Sequence, residues 1–125
     1  MARENPDFEI EFFERLVKED PHFVDALLPL AELYTRKGFH EKALELDLRL
    51  SKLRPEDSTV HYNLACSFAL AGRKKDALQT LERAIRLGYD DLGHMKKDAD
   101  LKILWEDPRF QFLAASTTPK SKRRS

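Results

Sequence analysis

Two ionisable side chains stand where a helix face otherwise carries hydrocarbon: Asp47 and His61. Asp47 lies four residues after Ala43 and three before Leu50, so helical spacing puts it on the apolar stripe. A carboxylate buried there costs several kcal/mol unless it is paired. A bond to His61, to Tyr34 or to an arginine would satisfy it. So would a stripe that is only half buried at this point and lets Asp47 reach water. A carboxylate beside an imidazole can also move protons. That role needs an accompanying nucleophile or metal motif, and the sequence supplies neither, so Asp47 and His61 are expected to form a structural buried polar pair. His22 and His40 fall near helix starts, His61 on a core face and His94 near the end of the chain. No two have ligand spacing, and HExxH and CxxC patterns are absent. Cys66 follows His61 by five residues. On a helix that is roughly 140° around the axis, so the two cannot form a catalytic dyad alone. No glycine-rich phosphate loop is present. The expectation is a protein that is not an enzyme and needs no cofactor or metal.

The elements that position these residues are helices. Leu, Ala, Glu, Lys and Arg dominate, and only four glycines occur in 125 residues. Strand-like alternation is missing, so composition alone predicts an all-α fold. A shift of 34 residues superposes the chain on itself: Leu30 on Leu64, Ala31 on Ala65, Tyr34 on Phe68, Gly38 on Gly72, Ala43 on Ala77, Leu44 on Leu78 and Leu53 on Leu87. Leu27, Leu30 and Tyr34 recur at three and four residues and share one helix face. Ala31 and Ala43 are small where two helices must cross closely. Gly38 suits a left-handed helix end. Pro55 stops the second helix and predicts an extended link after it. Pro29 sits inside the first helix, where it either kinks the helix or is tolerated in its first turns.

These positions resemble the tetratricopeptide repeat family. The first copy reads Leu27, Leu30, Ala31, Tyr34, Gly38, Ala43, Asp47, Leu50, Pro55, and the second His61, Leu64, Ala65, Phe68, Gly72, Ala77, Leu81, Ala84, with Tyr89 in the proline's place. The resemblance covers residues 24–89 and implies antiparallel hairpins stacked as a short right-handed solenoid. It further implies a concave groove lined by the first helix of each hairpin, which receives a peptide or helix. Matching positions put Asp25, Leu28, Glu32, Thr35 and Arg36 on that face in hairpin one. Hairpin two contributes Thr59, Tyr62, Asn63, Cys66, Ala69 and Leu70. Leu28, Glu32, Arg36, Tyr62, Asn63, Cys66 and Leu70 are the expected peptide-groove residues. Tyr62 is expected to be an exposed aromatic and Asn63 an amide for a peptide backbone. The carboxylate clamp of some relatives is matched by Asn63 alone, with Leu28 and Glu32 in place of its first pair, so that clamp is not expected.

Residues 7–19 carry Phe13 and Leu16 where a second-type helix would place core residues, and Pro21 stands 34 before Pro55. They are expected to cover the open side of repeat one. The predicted helices are 7–19, 22–36, 40–53, 57–71 and 74–87, with a helical cap at 91–115. Residues 1–115 then form one domain, with repeats at 22–55 and 57–89. Asp91, Asp98 and Asp107 read as helix N-caps, and Met95, Leu101, Leu104, Trp105, Phe110 and Leu113 as the cap's apolar side. The LGYDDL…DADL…WEDPRF run is similar to the ending of many bacterial repeat proteins of this type.

Charge is balanced, 22 basic against 22 acidic residues, so no global field draws the chain to nucleic acid or membrane. It is unevenly spread. Residues 1–20 hold seven acids against three bases, while residues 116–125 hold Lys120, Lys122, Arg123 and Arg124 without an acid. That tail is expected to be disordered and mainly solubilising. With one cysteine, no signal-like start and no membrane-length apolar run, the expected place is the cytoplasm. The expected partner is a protein or peptide, the expected state a monomer. The alternatives are nucleic-acid or anion binding through the basic tail, and self-association through the N-terminal helix with Phe8, Phe12 and Phe13.

Overall fold

A computed structural model describes residues 6–115, with side chains from residue 8; the basic tail lies outside the described residues. The described chain is all-α. Its helices are α1 (Pro6–Glu19), α2 (Val24–Lys37), α3 (His40–Leu53), α4 (Ser58–Leu70), α5 (Lys74–Arg86), α6 (Leu92–Lys97) and α7 (Pro108–Ala115). A 3₁₀ segment, Ala99–Leu104, lies between α6 and α7. Consecutive helices from α1 to α5 pack on one another, giving the hairpins α2–α3 and α4–α5 with α1 added in front. None of these helices is long and apolar enough to cross a membrane.

The turns between paired helices are the same device twice. Gly38 and Gly72 take φ of 84° and 80°, a region that costs an L side chain roughly 1–2 kcal/mol. Around Gly38, its own N–H bonds Thr35 O at 3.1 Å and the N–H of Phe39 bonds Tyr34 O at 2.8 Å. Around Gly72, the matching bonds go to Ala69 O and, from Arg73, to Phe68 O. Each pair satisfies carbonyls that the helix end would otherwise leave open. The small residues then let the helices close: Ala43, Ala65, Ala77 and Ala84 are at most 1% exposed.

Two sequence expectations change here. The link after α3 turns rather than running extended, with Asp57 N–H bonding Arg54 O. On α1 the inward stripe is Ile10, Phe13 and Val17, not Phe13 and Leu16. Glu14 on the same helix accepts a hydrogen bond from the Tyr34 hydroxyl of α2. Pro29 sits inside an α2 that runs unbroken from Val24 to Lys37.

At the other end, Met95, Leu101 and Leu104 are fully buried, and Phe110, Trp105 and Leu113 join the same core as α4 and α5. Asp91, Asp98 and Asp107 each accept a backbone N–H two or three residues on, from His94, Asp100 and Arg109. These caps fix short helices that are too brief to hold on their own. The 3₁₀ segment packs on α4, which carries the inner face of the second hairpin.

Candidate groove between the first helices of the two hairpins

A groove of about 520 Å³ runs along α2 and α4 and ends against the cap. From α2 come Leu28, Pro29, Ala31, Glu32 and Thr35; from α4, Tyr62, Asn63, Cys66, Ser67 and Leu70. Asp47 of α3 reaches its floor, and His94, Asp98 and Asp100 close its far side. Residues at three- and four-residue spacing on α2 and on α4 explain the lining. Pro29, having no N–H, cannot bond the carbonyl of Asp25 one turn back.

Six of the seven expected groove residues line this space: Leu28, Glu32, Tyr62, Asn63, Cys66 and Leu70. Arg36 is not among the lining residues; its guanidinium instead lies 3.6 Å from Glu32, one turn away on the exposed surface. Asn63 is exposed and Leu28 is 38% exposed, so both present atoms to solvent.

Tyr62 is not the exposed aromatic that its repeat position implies. It is 5% exposed, because the cap folds over this end of α4. Its ring stacks on Tyr89 with centroids 4.2 Å apart and planes 7° from parallel. Its hydroxyl donates to Asp98 Oδ2 at 2.7 Å. Burial pushes the Tyr62 phenol far up, and the carboxylate that accepts its proton acts in the same direction. Tyr89 is pushed up to about 12, again mainly by burial.

Asp98 organises this end of the groove. Its Oδ1 caps Asp100 at 3.0 Å, and His94 Nε2 lies 3.2 Å from Oδ2. The Cys66 thiol reaches the same oxygen at 3.8 Å. Donor atoms of Cys66, Asp98 and Asp100 all lie within 4.8 Å of one another, a gathering hidden in the sequence because Cys66 is 32 residues from Asp98. Burial, then the two carboxylates, push the thiol well above its ordinary value. A thiol held protonated in this way is a poor nucleophile. Asp100 is raised too, by burial and by the charge of Asp98.

Asp47 and His61 are both buried, at 5% and 7% exposure. Each bonds a different group from the one expected. Asp47 Oδ2 accepts from Ser67 Oγ at 2.5 Å, and His61 Nε2 donates to Pro55 O at 2.9 Å. Helix geometry supplies the reason. Ser67 and His61 are six residues apart on α4, about 120° around the axis. The face that meets α3 at Asp47 is Ser67's, while His61 faces the turn after α3. Burial pushes the Asp47 carboxyl up to about 6, although the Ser67 bond pulls the other way. Sequence spacing reaches the buried position of Asp47 but not its partner, because a serine gives no periodic signal. The cap's share of the groove, His94, Asp98 and Asp100, is equally hidden: in the sequence the cap reads only as a plug over the last hairpin.

No family model matches the chain. The chain is similar to a chloroplastic protein of Arabidopsis thaliana, at 32% identity over 83 residues, 64% of this chain and 25% of that protein. It is also similar to a Peroxisomal targeting signal receptor of Candida albicans, at 30% identity over 95 residues, 76% of this chain and 16% of that protein. The chain thus spans about a quarter of one curated relative and about a sixth of the other. One of the two relatives bears the name of a receptor for a targeting signal.

Proposed function

We propose that the chain is a non-enzymatic scaffold of tetratricopeptide type that holds a peptide or a helix of a protein partner in the groove between α2 and α4. The observation that carries this reading is the groove itself. Two helices one repeat apart contribute apolar walls, Leu28 and Leu70, beside an exposed amide, Asn63, in one space of about 520 Å³. An extended segment buries side chains on such walls while its backbone bonds the amide. Similarity to a protein named a targeting signal receptor supports a peptide ligand. The Cys66 thiol, buried beside two carboxylates that hold it protonated, is a poor nucleophile, which supports a binding role over a catalytic one.

Screening the full chain against an immobilised peptide library tests the reading. Peptides retained by the wild type should bind Asn63→Ala about five- to tenfold more weakly, the loss of one hydrogen bond worth ~1–1.4 kcal/mol. Leu28→Asp should weaken them further by placing a charge on an apolar wall. Unchanged binding in both variants would remove the groove as the binding surface.

A further inference from the structure

We propose that the groove selects a partner segment carrying an arginine two positions from an apolar residue, with the guanidinium seated against Asp98 and Asp100 and the apolar side chain against Leu70. This selectivity rests on the groove being the binding surface. The charge in the groove is of one sign. Glu32, Asp47, Asp98 and Asp100 line it, and among the described residues no lysine or arginine does. Glu32 is offset by Arg36 at 3.6 Å, and the Asp47 carboxyl is bonded by Ser67. Asp100 has no such donor. Its backbone N–H goes to Asp98 Oδ1 at 3.0 Å, but no described residue donates a hydrogen bond to its own carboxylate. Asp100 is also half-buried. A carboxylate in that setting is stabilised by a cation that brings hydrogen bonds with it.

The surroundings of Asp98 favour an organic cation over a metal ion. Its Oδ1 accepts the Asp100 N–H. Its Oδ2 accepts from Tyr62 at 2.7 Å, with His94 Nε2 3.2 Å away and the Cys66 thiol 3.8 Å away. A metal ion would have to displace these donors. A guanidinium need not, because its planar fork carries five N–H groups and each carboxylate oxygen can take a second bond. One oxygen of Asp98 and one of Asp100 lie within 4.8 Å of each other, a span that a single guanidinium bridges with two bonds of about 2.8 Å. Burial and the charge of Asp98 raise Asp100, and the imidazoles of His40 and His94 offset this in part. A bound cation adds to that offset.

Spacing along α4 sets the rest of the segment. Cys66 shares the acidic corner with Asp98 and Asp100. Leu70 stands about 6 Å further along the helix and Asn63 about 4.5 Å before Cys66, at about 1.5 Å per residue. Both line the same groove. In an extended chain, side chains two positions apart share a side and lie roughly 6.5–7 Å from each other. An arginine at the corner thus brings its second neighbour beside Leu70 and leaves the backbone on its other side within reach of the Asn63 amide.

The test is fluorescence anisotropy of the full chain with labelled octapeptides capped at both ends. Each carries one leucine and, two positions away, arginine, its neutral isostere citrulline, or glutamate. The arginine peptide should bind about ten- to a hundredfold more tightly than the citrulline peptide, the worth of a charge-assisted bond, and the glutamate peptide should bind least. Salt should narrow the arginine advantage. Asp100→Asn keeps the size of the side chain and the backbone bond to Asp98, so the variant should retain its helical circular dichroism and lose the preference. Arginine and citrulline peptides that bind the wild type alike overturn the proposal, as does a preference that survives Asp100→Asn. Zinc ion that binds the wild type but not Cys66→Ser, with no arginine preference, would assign the corner to a metal instead. Failure of the groove reading looks different. If Asn63→Ala and Leu70→Ser leave every peptide unchanged while Asp100→Asn removes the preference, the cation site stands and the groove reading fails. If those two variants weaken all peptides and no arginine preference exists, the groove stands and the cation site fails.

Discussion

Ser67 Oγ of α4 donates to Asp47 Oδ2 of α3 at 2.5 Å, joining the first hairpin to the second through a buried polar bond. The second hairpin has Leu81 at the position equivalent to Asp47, and Leu81 is fully buried. One copy of the repeat thus packs hydrocarbon where the other packs a carboxyl. Ser67→Ala leaves that carboxyl without its donor and should destabilise the fold by about 1–3 kcal/mol. Urea denaturation at neutral pH measures it.

The same carboxyl makes stability depend on pH in an uncommon direction. Its folded value, about 6, lies above its ordinary 3.8. Between roughly pH 4 and 6 the native state holds a proton that the unfolded chain has released, so this group's contribution falls as pH rises through that window. The difference is on the order of 2–3 kcal/mol. Comparing wild type with Asp47→Asn from pH 4 to 8 isolates it: the variant should gain on the wild type as pH rises. A gain that is the same at every pH would mean that Asp47 is ionised throughout.

The phenols should respond at the alkaline end. Tyr89 is pushed up to about 12 and Tyr34 and Tyr62 further, in each case chiefly by burial. The stability these groups confer is complete below pH ~10, where unfolded tyrosine ionises, and is lost as pH rises toward ~12. Phenolate absorbance of the native protein should stay near zero at pH ~10.5 and appear together with loss of helical circular dichroism. Tyr62→Phe removes the bond to Asp98 and also a phenol that must stay protonated, so it should lower stability at neutral pH and make the loss of stability between pH ~10 and ~12 less steep.

Gly38→Ala and Gly72→Ala should each cost about 1–2 kcal/mol, the penalty for a side chain at positive φ. Nothing lies within 4 Å of a Cβ built at either site, so the cost is conformational rather than a clash. Equal costs at the two sites, read from thermal unfolding, would show that the two turns are energetically the same device.

The cap should prove integral to the fold. Leu101 is fully buried and Phe112 is 71% exposed. Leu101→Ala should cost about 2–5 kcal/mol, and Phe112→Ala less than about 0.5 kcal/mol. Similar losses in both would contradict the burial pattern.

The sequence by itself determined the all-α class, the 34-residue repetition and the turns at Gly38 and Gly72. These follow from local rules, helical periodicity and the backbone freedom of glycine, that act within a few residues. It also marked Asp91, Asp98 and Asp107 as caps, for the same reason. Only the tertiary structure decided who meets whom. Asp47 bonds Ser67 rather than His61, because the rotation of α4 against α3 chooses the facing side chain. Tyr62 is enclosed rather than exposed, because the cap folds back on α4 and lays Tyr89 and Asp98 over it. Those pairings join residues 20 to 36 positions apart, and no local periodicity specifies which polar atoms such distant segments bring together.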